Sequence, residues 1–212
     1  IRRQKILKEL EFAQEIQSFL IPHEHPQPDI IYGINIPAKQ VSGDYFDYLT
    51  REDGCIIFTL ADVSGKGAGS GLMMSRASSL FRIFARQDMS LSNIILKLNQ
   101  EICESTSNGM FITMVVGCFD PQKKQVRLIN AGHEPVVLID SNKQLHSYPA
   151  NFRPVGIAPI DEENGIESTT INAEEGKIFI YTDGVTEGYI NNNKEELGAE
   201  GVEKIIKENY QS

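Results

Sequence analysis

Two segments with helical spacing follow one another in the middle of this chain, and strand-like runs stand on both sides of the pair. The first, over residues 70–86, carries Leu72, Met73, Ala77, Leu80, Phe81 and Phe84 at helical intervals. The second starts at Ser90, a good N-cap type, and continues through Leu91, Ile94, Ile95, Leu98 and Ile102. Ahead of the pair stand "IIYGINIPA" and "CIIFTLADV"; behind it stand "FITMVVGCFD", "VRLINAGHEPVVLID" and "KIFIYTDG", all reading as strands. Parallel strands need a crossover between each pair, usually a helix. With the helices bunched and the strands in runs, the order excludes a doubly wound sheet. It predicts an α+β fold with mainly antiparallel strands.

Punctuation refines this outline. The turn "REDG" between "VSGDYFDYLT" and "CIIFTLADV" predicts a hairpin. A leading helix is expected over 4–20, with a stripe of Ile6, Leu10, Ala13, Ile16 and Leu20, and Pro22 stops it. The segment "PHEHPQPD" then reads as a linker, dividing a helix in 1–22 from a domain in 23–212. A last helix is expected over about 200–210. A length of 212 residues favours one large domain.

The acidic balance, a formal charge of -9, argues against bulk nucleic-acid binding and against an anionic membrane surface. No apolar run reaches the roughly 20 residues of a membrane span. Cys55, Cys103 and Cys118 form no CxxC pair, so they read as small apolar fillers in a reducing, cytoplasmic setting. The chain begins with Ile rather than Met, so the expectation is a fragment with regions upstream.

Three aspartates share one local setting. Asp44 in "SGDYFD", Asp62 in "IIFTLADV" and Asp183 in "KIFIYTDG" each stand by the end of an apolar run. Carboxylates gathered at one sheet rim repel each other and call for cations, and all-oxygen ligands favour hard ions. Chain separation alone does not bring them together, and Asp beside Gly is also ordinary turn chemistry. The glycine loop "SGKGAGSG" fits neither nucleotide motif. The first glycine of a P-loop would fall on Leu60, and its Ser or Thr would fall on Gly67. The third glycine of a dinucleotide fingerprint would fall on Ser70 or Leu72.

Taken in order, "VSGDYFDY", "ADVSGKGAGSGLMMS", "NAGHEPVVL" and "YTDGVTEGY" resemble the SpoIIE-type phosphatases, bacterial members of the metal-dependent PPM class of serine/threonine protein phosphatases. The helix "ELEFAQEIQSFLIP" resembles the segment that joins an upstream sensor to the phosphatase in the RsbU-like branch. The resemblance implies an αββα sandwich and a site for two ions, Mn2+ or Mg2+. It implies Asp44, Asp62, Asp183 and the backbone carbonyl of Val63 as metal ligands. Water activated at such a site attacks phosphorus in line with the serine or threonine oxygen. His133 is a candidate general acid, with a loop-fixing histidine as the alternative. Lys66 is a candidate phosphate-attracting charge, with a solvated lysine as the alternative. The implied substrate is a phosphorylated STAS-domain anti-sigma-factor antagonist. The implied partners are an upstream sensor domain or a regulatory protein, and a second copy paired through the leading helix.

The chain departs from the family pattern in three places. Ser42 precedes Gly43 where the family has Gly-Gly. The helix after the loop opens Gly69-Ser70-Gly71 rather than Pro-Ala-Ala, and each glycine costs about 1 kcal/mol in a helix interior. The family's later Asp-Asp-x-Thr motif, which supplies another ligand, is not reached by Ser212. The expectation is therefore either a truncated fragment or a site short of one ligand, and a non-catalytic pseudophosphatase that binds partners stands as the alternative. A pocket for a phosphorylated small molecule is not favoured, since there is no Trp and only 8% aromatic residues to stack a base. The leading helix is expected to act on the metal corner through its stripe, with Ile16→Asp altering activity.

Overall fold

The computed structural model describes residues 2–22, 27, 29–38, 40–105, 109–160, 165–174, 176–190 and 195–210. Most of the "PHEHPQPD" linker lies outside them. The leading helix, α1 (Arg2–Ser18), precedes every strand. The first hairpin follows, with β1 (Tyr45–Thr50) antiparallel to β2 (Ile56–Val63) in the register Tyr45↔Ala61 through Thr50↔Ile56. Next come the paired helices α2 (Ala68–Ala85) and α3 (Leu91–Ser105). Ser90 caps α3 as expected, its Oγ accepting the Asn93 amide at 3.2 Å.

Strands β3 (Ile112–Asp120) and β4 (Gln125–Ala131) form a second hairpin beside β2. Strand β5 (Val136–Ile139) starts the other sheet with β6 (Leu145–Tyr148), and β7 (Thr169–Asn172) returns to pair with β4. Strand β8 (Lys177–Phe179) pairs with β5, before the short helix α4 (Asp183–Thr186) and the final helix α5 (Gly198–Asn209). The result is a five-stranded sheet, β1-β2-β3-β4-β7, and a three-stranded sheet, β6-β5-β8. Every named strand pair is antiparallel.

Strand alternation sorts the apolar side chains into three cores. One face of the larger sheet (Ile57, Ala61, Met114, Val116, Ile129) packs against Met74, Phe81, Ile94 and Leu98 of the helix pair. Its other face (Phe58, Val115, Val126, Leu128) meets Val136 and Leu138 of β5 between the sheets. The outer face of β5, Val137 and Ile139, packs on Val202, Ile206 and Tyr210 at the last helix. These layers make the expected αββα sandwich. Each fully buried Phe or Ile contributes about 1.5–3 kcal/mol.

Four expectations need correction. The segment 31–37 is not a strand: it forms no ladder, and Pro37 offers no amide to one. Its residues Tyr32, Ile34 and Ile36 are exposed. The run "VRLINAGHEPVVLID" is not one strand but β4 and β5, split where Gly132 takes φ 71° and the chain passes to the other sheet. In "KIFIYTDG" only three residues are strand, so Asp183 opens α4 rather than ending a strand. The stripe of α1 fails at one position: Ile16 is 52% exposed, whereas Gln17 takes the inward place at 7% exposed. Leu10 and Ala13 are half-buried and Leu20 packs on the core, while the side chain of Ile6 lies outside the described ones.

The three cysteines are free: Cys118 is buried, and Cys55 and Cys103 are half-buried. Among the described residues no helix is long and apolar enough to cross a membrane.

Candidate metal centre

The first hairpin brings two of the three aspartates together. Its register places Tyr45 opposite Ala61, so Asp44, one residue before β1, falls opposite Asp62 near the end of β2. Burial pushes the Asp62 carboxyl up to about 7, helped by the nearby Asp44 carboxyl through hydrogen bonding and charge, and then by the charges of Asp183 and Glu187. The site is thus a half-buried pair of acids, Asp44 and Asp62, with the exposed Asp183 and Glu187 beside it, short of positive charge.

Local bonds hold the pair in place. The Asp44 amide donates to Ser42 Oγ at 3.0 Å, and the Asp44 carbonyl accepts from Asn35 Nδ2 at 3.0 Å. Ser42, the departure from Gly-Gly-Asp, therefore shapes the loop that carries Asp44. Thr182 Oγ1 donates to Asp44 Oδ2 at 3.0 Å, tying the start of α4 to the pair across 138 residues of chain. Gly43 lies against the Val63 carbonyl, where a Cβ would stand 3.1 Å from that oxygen. Asp44, Asp62 and the Val63 carbonyl thus lie at one corner. Among the described residues, no three Asp, Glu, His or Cys side chains close on a common ligating point. Asp44 and Asp62 are the tight pair, and Asp183 acts on them from the first turn of α4.

The remaining residues take different places. Lys66 is exposed on the loop between β2 and α2, where Gly65 and Gly67 take φ of 93° and 94°, a left-handed turn suited to glycine. Among the described residues no carboxylate pairs with Lys66. His133 is 7% exposed, and its Nδ1 lies 2.9 Å from Thr113 Oγ1. Its backbone amide donates to Asn130 Oδ1 at 2.8 Å, while Asn130 Nδ2 donates to the Glu134 carbonyl at 2.9 Å, closing the "NAGHE" turn. Burial pushes the His133 pKa down to about 4, outweighing the Tyr181 backbone and the Asp44 and Asp183 charges, so the ring is neutral at pH 7. A neutral imidazole held this way suits the loop-fixing role better than proton donation.

The turn itself gives a prediction. Gly132 combines a φ of 71° with a position where a Cβ would overlap the Pro154 ring. Gly132→Ala should destabilise the protein by about 2 kcal/mol, read as a lower urea midpoint.

Three groups at the site escaped the sequence reading: Thr182, Thr113 and Glu187. For Glu187 a signal existed. In "DGVTE" it stands four residues after Asp183, one helical turn away. For Thr113 the only signal was its register opposite Asp62, which needs the strand pairing first.

The sandwich with acids at one rim is the fold of the PP2C-type protein phosphatases. The SiaA-PP2C domain of Pseudomonas aeruginosa superimposes with a TM-score of 0.80 at 16% identity, over 98% of this chain and 83% of that one. RsbX in complex with magnesium superimposes with a TM-score of 0.57 at 19% identity, over 84% of each chain. The chain belongs to the family described as Stage II sporulation protein E (SpoIIE), which matches residues 52–212. In sequence it is 30% identical over 188 residues to "Phosphoserine phosphatase RsbU" of Bacillus subtilis, covering 87% of this chain and 55% of that protein. The chain thus spans about half the length of that curated relative.

Proposed function

We infer that this domain is a metal-dependent phosphoserine/phosphothreonine protein phosphatase. The observation that carries the reading is the Asp44–Asp62 pair, two half-buried carboxyl groups that the first hairpin brings together at a sheet rim beside the Val63 carbonyl. Such a pair is relieved by a divalent cation, and its oxygen donors suit Mn2+ or Mg2+. Asp44, Asp62, Asp183 and the Val63 carbonyl would hold it. When bound, a two-ion centre supplies a low-pKa water and neutralises phosphoryl charge. The chain's own residues do the rest. Thr182 orients Asp44, and His133 with Thr113 fixes the loop that flanks the site. Lys66, free on its loop, draws the phosphoprotein toward the acids.

The RsbU likeness supports a phosphorylated STAS-domain protein as substrate, and regulation by an upstream sensor domain or partner protein. Residues 1–22 then form the regulatory helix and 23–212 the phosphatase. The outward residues of α1, Phe12 and Ile16, are 63% and 52% exposed, and with Phe19 just beyond the helix, 75% exposed, they offer a seam for a second copy. The competing reading is a non-catalytic, partner-binding module. It draws on the lack of three converging ligands among the described residues.

Phosphate release from a phosphoserine STAS protein separates the two readings. The phosphatase reading expects release with Mn2+ and none after chelation. Release that ignores the chelator, or partner binding without any release in Mn2+, contradicts it.

A further inference from the structure

Beneath the helix pair, one strip of the core is polar. Tyr45, Thr59 and Ser78 are 1%, 2% and 0% exposed, and none of their hydroxyl oxygens has a hydrogen-bond partner among the described residues. An unpaired buried hydroxyl costs free energy, and such groups are normally paired with protein or with water. Ser78 is unusual even within its own helix. Ser75 and Ser79 of α2 donate to the carbonyls of Gly71 and Ser75, one turn back, at 2.9 and 2.8 Å. That is the common outlet for a helical serine, and Ser78 does not take it.

The fold brings the three together. On β1, Tyr45 and Asp47 stand two residues apart and so share the face turned to the helices, and Thr59 of β2 lies directly opposite Asp47. Helix α2 runs alongside β1. Gly43 lies against Ser70 at one end, and Arg51 Nε donates to the Ala85 carbonyl at 3.1 Å at the other. Midway, Ser78 falls level with Asp47, and Arg82, one turn further on, grips the Asp47 carboxylate. Burial, and then the Asp47 charge, push the Tyr45 phenol up while nearby Thr59 pulls it down, so the group stays a neutral donor. Asp47 keeps room for one more donor. Its Oδ1 accepts from Arg82 Nη2 and the Tyr48 amide, but among the described residues its Oδ2 accepts only from Arg82 Nε.

We propose that Tyr45 Oη, Thr59 Oγ1, Ser78 Oγ and Asp47 Oδ2 line an internal water site, in which ordered water joins the first hairpin to α2. A water molecule offers two protons and two lone pairs, and a buried one makes about three hydrogen bonds. One arrangement satisfies all four groups: Tyr45 and Ser78 donate to the water oxygen, and its protons go to Asp47 Oδ2 and Thr59 Oγ1. The bound water gives each hydroxyl a partner and hydrates a carboxylate that Arg82 alone does not fully satisfy.

The test uses this 212-residue chain in a high-resolution crystal structure and in chemical denaturation. The expected density is an ordered water within hydrogen-bond distance of Tyr45 Oη and of at least one of the other two hydroxyls. Tyr45→Phe and Thr59→Val keep the shape, and each removes one partner of that water. Each should raise the unfolding equilibrium constant about fivefold or more. The double variant should raise it by less than the product of the two, because both act on shared water. Hydroxyls packed directly on one another, with no water between them, overturn the proposal. So does a Tyr45→Phe or Thr59→Val protein as stable as wild type or more so, the result expected of hydroxyls that are merely unpaired.

Discussion

Asp62→Ala should abolish metal-dependent phosphate release, a fall of about 10³-fold or more, because it removes half of the pair on which the cation would rest. The fold should survive, since Asp62 is half-buried and repelled by its neighbours. Asp62→Asn separates charge from shape. It should lose Mn2+ binding while making the metal-free protein more stable at pH 8, because the repulsion with Asp44 disappears. The pH dependence follows with a definite sign. The Asp62 carboxyl stands at about 7 in the folded metal-free protein against an ordinary 3.8. Between those values the folded state holds a proton that the unfolded state has released. Stability of the metal-free protein should therefore fall as pH rises from about 4 to about 7 and then level off. In Asp62→Asn this slope should flatten. Chemical denaturation at pH 5 and pH 8 reads it directly, and an unchanged slope in Asp62→Asn would contradict the assignment.

The second large effect lies away from the site. Asp47 on β1 faces the helix layer with its carboxylate fully enclosed, and Arg82 of α2 grips it through Nε at 2.6 Å and Nη2 at 2.8 Å. Burial still pushes the Asp47 carboxyl up despite Arg82. Taking Arg82 away leaves that group buried without its partner. Arg82→Met should cost about 3 kcal/mol, the lower end for a broken buried pair, since Arg82 itself is 41% exposed. A fall in Tm of about 6–12 °C corresponds to this for a chain of this size. Adding Asp47→Leu to Arg82→Met should recover most of the loss, because the penalty belongs to the stranded carboxylate. A single variant within 0.5 kcal/mol of wild type by denaturation would show that the pair is not what joins β1 to α2.

The fold class was legible because the helices are adjacent in sequence and the strands cluster around sharp turns. The first hairpin carried more than was drawn from it. Its turn centres on Asp53, with Asp44 and Asp62 nine residues to either side, so the pairing of the two acids follows once the hairpin is accepted. The third acid was harder. Asp183 reaches the site through a second sheet, whose placement depends on long-range pairing of β5 with β8. Segment 31–37 misled because its alternating apolar residues fit a strand, and nothing local tells whether a partner strand lies alongside. The α1 stripe misled for a different reason. Hydrophobic spacing assigns the core face to Ile16, whereas polar bonds to Ser42 and Gly71 turn Gln17 inward. Hydropathy cannot see a face that is buried by hydrogen bonds. The family resemblance supplied the identity of the site residues, and their geometry came only from the structure.

The central claim is that Asp44, Asp62 and the Val63 carbonyl form a divalent-cation corner with Asp183 beside it. Anomalous scattering from Mn2+-soaked crystals tests it most directly. The account predicts a manganese peak within ligating distance of both Asp44 and Asp62, lost in Asp62→Ala crystals. A fully soaked crystal with no peak there, or with manganese bound only at other acids, would contradict it.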